Sequence, residues 1–195
     1  MKRLCVCAGL LTAEIVIAGC GGSSMQPSPP ATSTLTFQVA AAALNPADSG
    51  SYTTASATFG ASVRTTCVPD PNVPNSVCPD LMVLVRGTDG RSSCQLWAFA
   101  PAGRSLNVGS YPKAAASYSA DTAGFLFNCS RGGTACNGNV SSFTIHELQS
   151  NPNGVVTRLH MTFEQTCLGG FPPAVGPFGK CTGELWIIDG TAPFL

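Results

Sequence analysis

Arg158-Leu159-His160-Met161-Thr162-Phe163-Glu164 alternates polar and apolar residues without a break. A strand sends successive side chains to opposite faces. This period of two therefore sets Leu159, Met161 and Phe163 on a core and leaves Arg158, His160, Thr162 and Glu164 toward water. The same alternation runs through Leu35, Phe37 and Val39, and through Ala55, Ala57, Phe59, Ala61 and Val63. Leu81 to Val85 is continuously apolar, as a more central strand requires. Leu96–Phe99, Phe125–Phe127, Phe143–Ile145 and Leu185–Ile188 complete eight or nine short strands.

Turn chemistry separates them. Asn45 to Gly50 divides the first two runs. Thr88-Asp89-Gly90-Arg91 reads as a hairpin, because Asp-Gly suits positive φ. Asn151-Pro152-Asn153-Gly154 divides the Phe143 and Leu159 strands. No window of a dozen residues has helical spacing with caps, and there is no internal repeat. The reading is an all-β domain over residues 34–195, an antiparallel sandwich or jelly-roll-like barrel. Lys and Arg together number 10, as do Asp and Glu. Without a basic cluster, nucleic-acid binding is disfavoured.

The start of the chain reads as an address. Lys2 and Arg3 precede an apolar run from Leu4 to Ala18 that is too short to span a bilayer and contains Glu14. Ile17-Ala18-Gly19-Cys20 then resembles the lipobox of bacterial lipoproteins. The resemblance implies a signal peptide over residues 1–19 and a lipid thioether on Cys20. It also implies acylation of the new amino terminus, and two or more acyl chains anchor stably. Gly21 stands where an inner-membrane retention signal would have Asp, which favours the outer membrane. Residues 20–33 form the lipidated terminus and a flexible linker rich in Gly, Ser and Pro.

Ten cysteines occur, seven of them in the domain: Cys67, Cys78, Cys94, Cys129, Cys136, Cys167 and Cys181. Outside the cytoplasm these should oxidise, and no close Cys-x-x-Cys pair suggests zinc. Spacing suggests bridges closing three loops: Cys67 with Cys78, Cys129 with Cys136, and Cys167 with Cys181. That scheme leaves Cys94 over. The alternative joins Cys136 to Cys167 and Cys94 to Cys129. The odd count leaves one thiol unpaired or bridged to another molecule.

From Gly109 onward the chain resembles an uncharacterised domain of secreted bacterial proteins. The matching pieces are Gly109-Ser110-Tyr111, Gly133 to Asn137, Ser142 to Ile145 with Glu147, and Phe163-Glu164-Gln165 with Cys167. The resemblance implies a β fold and supports a Cys136–Cys167 bridge. No activity accompanies it.

Chemistry is sparse. Only two histidines occur, with no Gly-x-Ser-x-Gly elbow and no carboxylate pair of glycosidase type. If Asn151–Gly154 pairs Phe143 with Met161 and Ile145 with Leu159, His146 and His160 become diagonal neighbours on the outer face, roughly 7–8 Å apart. Glu147 then shares the side of Ile145, where it reads as a buried carboxylate or, in the favoured reading, as the strand end turning to water. Glu164 is too far along to complete a metal site and Arg158 repels a cation, so a solvated polar face is expected. Asp70, Asn72, Asn75 and Asp80 read as turn residues rather than a calcium site. Trp97, Trp186 and Tyr111 are the candidate ligand-binding residues, and with Phe171 and Phe178 they would make a stacking platform for sugar or peptide. Burial is the competing reading for both indoles.

The sequence thus points to a lipid-anchored cell-envelope protein with a structural or ligand-binding role. It implies no cofactor and no catalytic residue. Its partners would be the membrane, through the lipid, and an envelope protein or glycan. A carbohydrate- or peptide-binding module is the first alternative, a hydrolase with a scattered site the second.

Overall fold

A computed structural model describes residues 28–40, 49–63, 79–115, 119, 121–129, 141–168 and 177–192. The signal peptide, Cys20 and most of the linker lie outside those residues, as do Cys67, Cys78, Cys136 and three of the four turn residues from Asp70 to Asp80.

The described residues form ten strands in order: β1 (Thr34–Ala40), β2 (Gly50–Thr53), β3 (Ala57–Val63), β4 (Leu81–Gly87), β5 (Ser93–Phe99), β6 (Gly109–Ala114), β7 (Gly124–Cys129), β8 (Ser141–Ser150), β9 (Val156–Leu168) and β10 (Pro177–Ile188). They form two antiparallel sheets. One has six strands in the order β2-β1-β10-β9-β8-β6; the other has four, β3-β4-β5-β7. The architecture is a β-sandwich. The predicted core residues are in place: Leu159, Met161, Leu185 and Ile187 from the larger sheet, and Leu81, Val83, Leu96 and Phe125 from the smaller, join one buried cluster. Phe125 and Phe127 of one sheet pack on Phe163 of the other, with ring centroids 5.4 and 4.7 Å apart.

The two expected hairpins form through side-chain capture of backbone donors. Asp89 Oδ1 accepts from the N–H groups of Arg91 and Ser92, both at 2.9 Å, and Gly90 takes φ 67°. Asn151 Oδ1 accepts from the N–H groups of Asn153 and Val155 at 3.0 and 3.1 Å. Gly154 follows at φ 78°, where a Cβ would lie 2.7 Å from the Val63 carbonyl oxygen.

Two strands escape the alternation. β2 buries only Tyr52, and β6 contains Pro112, which a strand tolerates at a sheet edge. The expected second strand, Ala55–Val63, begins instead at Ala57. Residues 54–56 turn, and the Ser56 hydroxyl accepts from the Thr53 N–H at 3.0 Å.

The three-loop cysteine scheme needs correction, and the alternative pairing of Cys94 with Cys129 holds. Cys94 is bonded to Cys129, its direct opposite across β5 and β7, with Cα atoms 4.0 Å apart. Cys181 is not bridged to Cys167; its thiol is free and buried. The register explains this, because Cys181 stands opposite Gln165 and Cys167 opposite Gly179. Diagonal positions sit about 7–8 Å apart, beyond comfortable disulfide reach. The Cys129–Cys136 closure also fails, since Cys129 is already engaged.

Candidate functional site

The polar residues of β8, β9 and β10 gather on the outer face of the six-stranded sheet, and a β-bulge decides how they meet. Ile145 pairs with Met161, and the next pair is Glu147 with His160, so His146 is an extra residue on β8. The expected pairing of Phe143 with Met161 is corrected to Phe143 with Phe163. A bulge sets two residues opposite one and re-aims their side chains. It carries Glu147 from the side it would share with Ile145 to the outer face, so the carboxylate turns to water as the favoured reading expects, through the bulge rather than a strand end. There Glu147 Oε1 accepts from Arg158 Nε at 2.8 Å and from Gln149 Nε2 at 3.0 Å.

The same bulge lays the His146 ring on the His160 ring, with centroids 4.4 Å apart and planes inclined by 28°. His160 in turn lies on Trp186 at 3.6 Å and 9°. Glu184 binds this stack from the side. Its Oε1 accepts from His160 Nε2 at 2.9 Å and from Trp186 Nε1 at 3.1 Å. The polar tip of the indole is satisfied and its face is covered, so Trp186 is only 6 % exposed although it points away from the core. His146 remains exposed, and its Nε2 lies 3.0 Å from Thr162 Oγ1. Loss of hydration in the stack, and then the neighbouring His160, hold its pKa below the ordinary histidine value; Glu184 opposes the shift.

Metal chelation does not suit this arrangement. Ring nitrogens direct their lone pairs in the ring plane, so two stacked imidazoles aim side by side rather than at one ion. Among the described residues no three His, Cys, Asp or Glu side chains are grouped to hold a metal ion. Nor is a hydrolytic triad assembled. Thr162 and His146 are in contact, but among the described residues no carboxylate is hydrogen-bonded to His146 to orient it as a base.

Beside the stack runs an open groove of about 420 Å³. Ser110, Ser142, Thr144, Thr162, Glu164 and Thr182 line it. These residues belong to cross-strand rows. Ser110, Thr144, Thr162, Glu184, Thr36 and Ser51 stand successively opposite one another across all six strands. Neighbouring strands lie about 4.8 Å apart, so the row is an evenly spaced line of hydroxyls broken by one carboxylate. Glu164 in the adjacent row is held by Lys180 Nζ at 2.8 Å.

The three aromatic candidates are therefore separated. Trp186 is engaged by His160. Tyr111 stacks on Phe143 at 4.4 Å, and its hydroxyl closes on the backbone N–H and C=O of Asn107 at 3.0 and 2.9 Å, which makes it a clamp on the preceding loop. Trp97 lies on the other sheet, half-buried in a row with Met82 and Leu126. Phe171 and the side chain of Phe178 lie outside what the structure describes, and among the described side chains no common platform forms. Asp80 is a structural turn residue: its Oδ2 accepts from the Ala100 N–H at 2.7 Å. The hydroxyl row and the histidine stack were not legible in the sequence as a site. The alternation gave the face of each residue, and only the bulge and strand order bring them together.

Compared with known proteins, the chain matches no family model, no curated protein and no solved structure.

Proposed function

We propose that this is a lipid-anchored cell-envelope protein whose sandwich binds a glycan on the outer face of its six-stranded sheet. The observation that carries the reading is the hydroxyl row from Ser110 to Ser51 with its adjoining groove. Serine and threonine hydroxyls both donate and accept, as sugar hydroxyls do. Five of the six residues in the row carry hydroxyls, and its one carboxylate, Glu184, is already engaged by His160 and Trp186, so the row suits a chain of hydroxylated rings. The lipobox-like start supports the address, outside the reducing interior, and the Cys94–Cys129 bridge accords with it.

Calorimetric titration of the domain with soluble fragments of envelope polysaccharides tests the binding role. Thr144→Val with Thr162→Val keeps the shape and removes two central hydroxyls. The expected result is saturable binding to the native domain, weakened at least tenfold in the double variant. Equal affinity in both would remove the row from the site. Intact mass spectrometry of the membrane fraction tests the address: acyl mass on a chain beginning at Cys20 is expected, and an unmodified full-length chain would contradict it.

A further inference from the structure

We propose that His146 and His160 form a proton-operated latch, closed while His146 is neutral and opened when it takes up a proton. The geometry sets the asymmetry. A proton on His160 Nε2 is paired with Glu184 Oε1 at 2.9 Å. A proton added to His146 meets no hydrogen-bonded carboxylate, and a charged His160 would face it at a ring separation of 4.4 Å. Two cations stacked face to face repel. Of the two rings only one is free to leave: His160 is 5 % exposed and pinned between its neighbours, whereas His146 sits exposed on the bulge.

The other charges around the latch are mostly committed. On β8, Glu147 is paired with Arg158 of β9. Glu164 of β9 is paired with Lys180 of β10. Glu184 of β10 is shared between His160 and Trp186. β1 faces the stack with Thr34 and Thr36, which carry no charge. Lys113 of β6 and Asp189 after β10 stand at the margins of the sheet. None of these hydrogen-bonds His146 in the closed stack; Glu184 attracts a charge there, but its Oε1 is already shared by His160 and Trp186, and departure is what separates the two rings. Swinging out, His146 releases the Thr162 hydroxyl into the groove and bares the ring of His160 that covers Trp186. The consequence for ligand binding rests on the proposed function above; the latch itself does not.

The test therefore uses the domain without ligand. In a Trp97→Phe background Trp186 is the remaining indole of the two in the sequence. Its emission and the imidazole proton resonances are followed from pH 8 to pH 4. An acid step in Trp186 emission is expected, coincident with His146 titration. His146→Gln should abolish that step while leaving the circular dichroism unchanged. His160→Gln, if it folds, should move the His146 titration upward. An emission step that persists unchanged in His146→Gln overturns the latch, as does a titration of His146 with no response from Trp186. Failure of glycan binding at every pH, with the step intact, would count against the binding reading alone.

Discussion

The side chain of Gln165 completes the open edge of β7 at Phe127. Its Oε1 accepts from the Phe127 N–H at 2.8 Å, and its Nε2 donates to the Phe127 C=O at 3.3 Å. Gln165 is wholly buried on β9, in the opposite sheet. One amide thus does for β7 what a neighbouring strand would do. It also joins the two sheets through a polar contact inside an apolar core, and it occupies one position of an edge that would otherwise be open to pairing with other chains. Next along the same edge, the Phe125 N–H donates to the Ala115 C=O at 2.8 Å.

Replacing Gln165 by Leu should destabilise the domain by about 1–3 kcal/mol for each orphaned backbone group of Phe127. Urea unfolding of the native and Gln165→Leu domains measures it. A change below half a kcal/mol would mean that the amide is not the partner of β7.

Gly183 makes room for the Phe163 ring, since a Cβ built there meets that ring. Phe163 is itself wedged against Phe125 and Phe127 and cannot retreat. Gly183→Ala should therefore cost about 1–3 kcal/mol, the range for overpacking a core, although alanine ordinarily favours a strand over glycine. A melting temperature equal to or above the native value would contradict this packing.

Cys94–Cys129 closes a loop across a sequence separation of 35. Its loss in Cys94→Ala with Cys129→Ala should lower stability by about 2–4 kcal/mol, because the denatured chain regains the freedom of that loop. Chemical denaturation of the double variant checks the size. The bridge was hard to single out from sequence because β6 lies between its strands in the chain yet belongs to the other sheet. Spacing favours short loops; strand order, which spacing does not reveal, placed these two cysteines opposite each other.

Burial pushes the Cys181 thiol up to about 12. Only the thiolate is a nucleophile, so this thiol should resist alkylation at pH 8 in the folded domain and react fully in denaturant. Peptide mass spectrometry after iodoacetamide treatment distinguishes the two. Modification at equal rates would place Cys181 outside the core.

The strands and their inward faces were readable because alternation is a local property: Leu159, Met161 and Phe163 sit on the core as their spacing required. The site was not, because it depends on a single extra residue. The bulge at His146 shifts Glu147 to the outer face and turns an expected diagonal separation of the histidines into a stack. Trp186 illustrates the same limit. Alternation gave its outward direction, but the ring that covers it comes from β9 and the acceptor for its N–H from two residues earlier on β10.

Stability should also carry the mark of His146. Its folded pKa lies below the ordinary value, so the unfolded chain binds the proton more readily. The contribution is present above the unfolded pKa and is lost as pH falls through the folded one. Stability of the native domain should thus decline more steeply than that of His146→Gln as pH drops through and below the ordinary histidine range. Parallel pH profiles from paired denaturation series would contradict the lowered value.

Glycan binding on the outer face is tested by a residue-resolved NMR titration of the domain with soluble envelope glycans. Binding on the outer face predicts shift changes concentrated at Thr144, Thr162, Thr182 and Glu184, with the Met82–Trp97–Leu126 face of the smaller sheet silent. Changes confined to that smaller sheet, or none at saturating glycan, would contradict it.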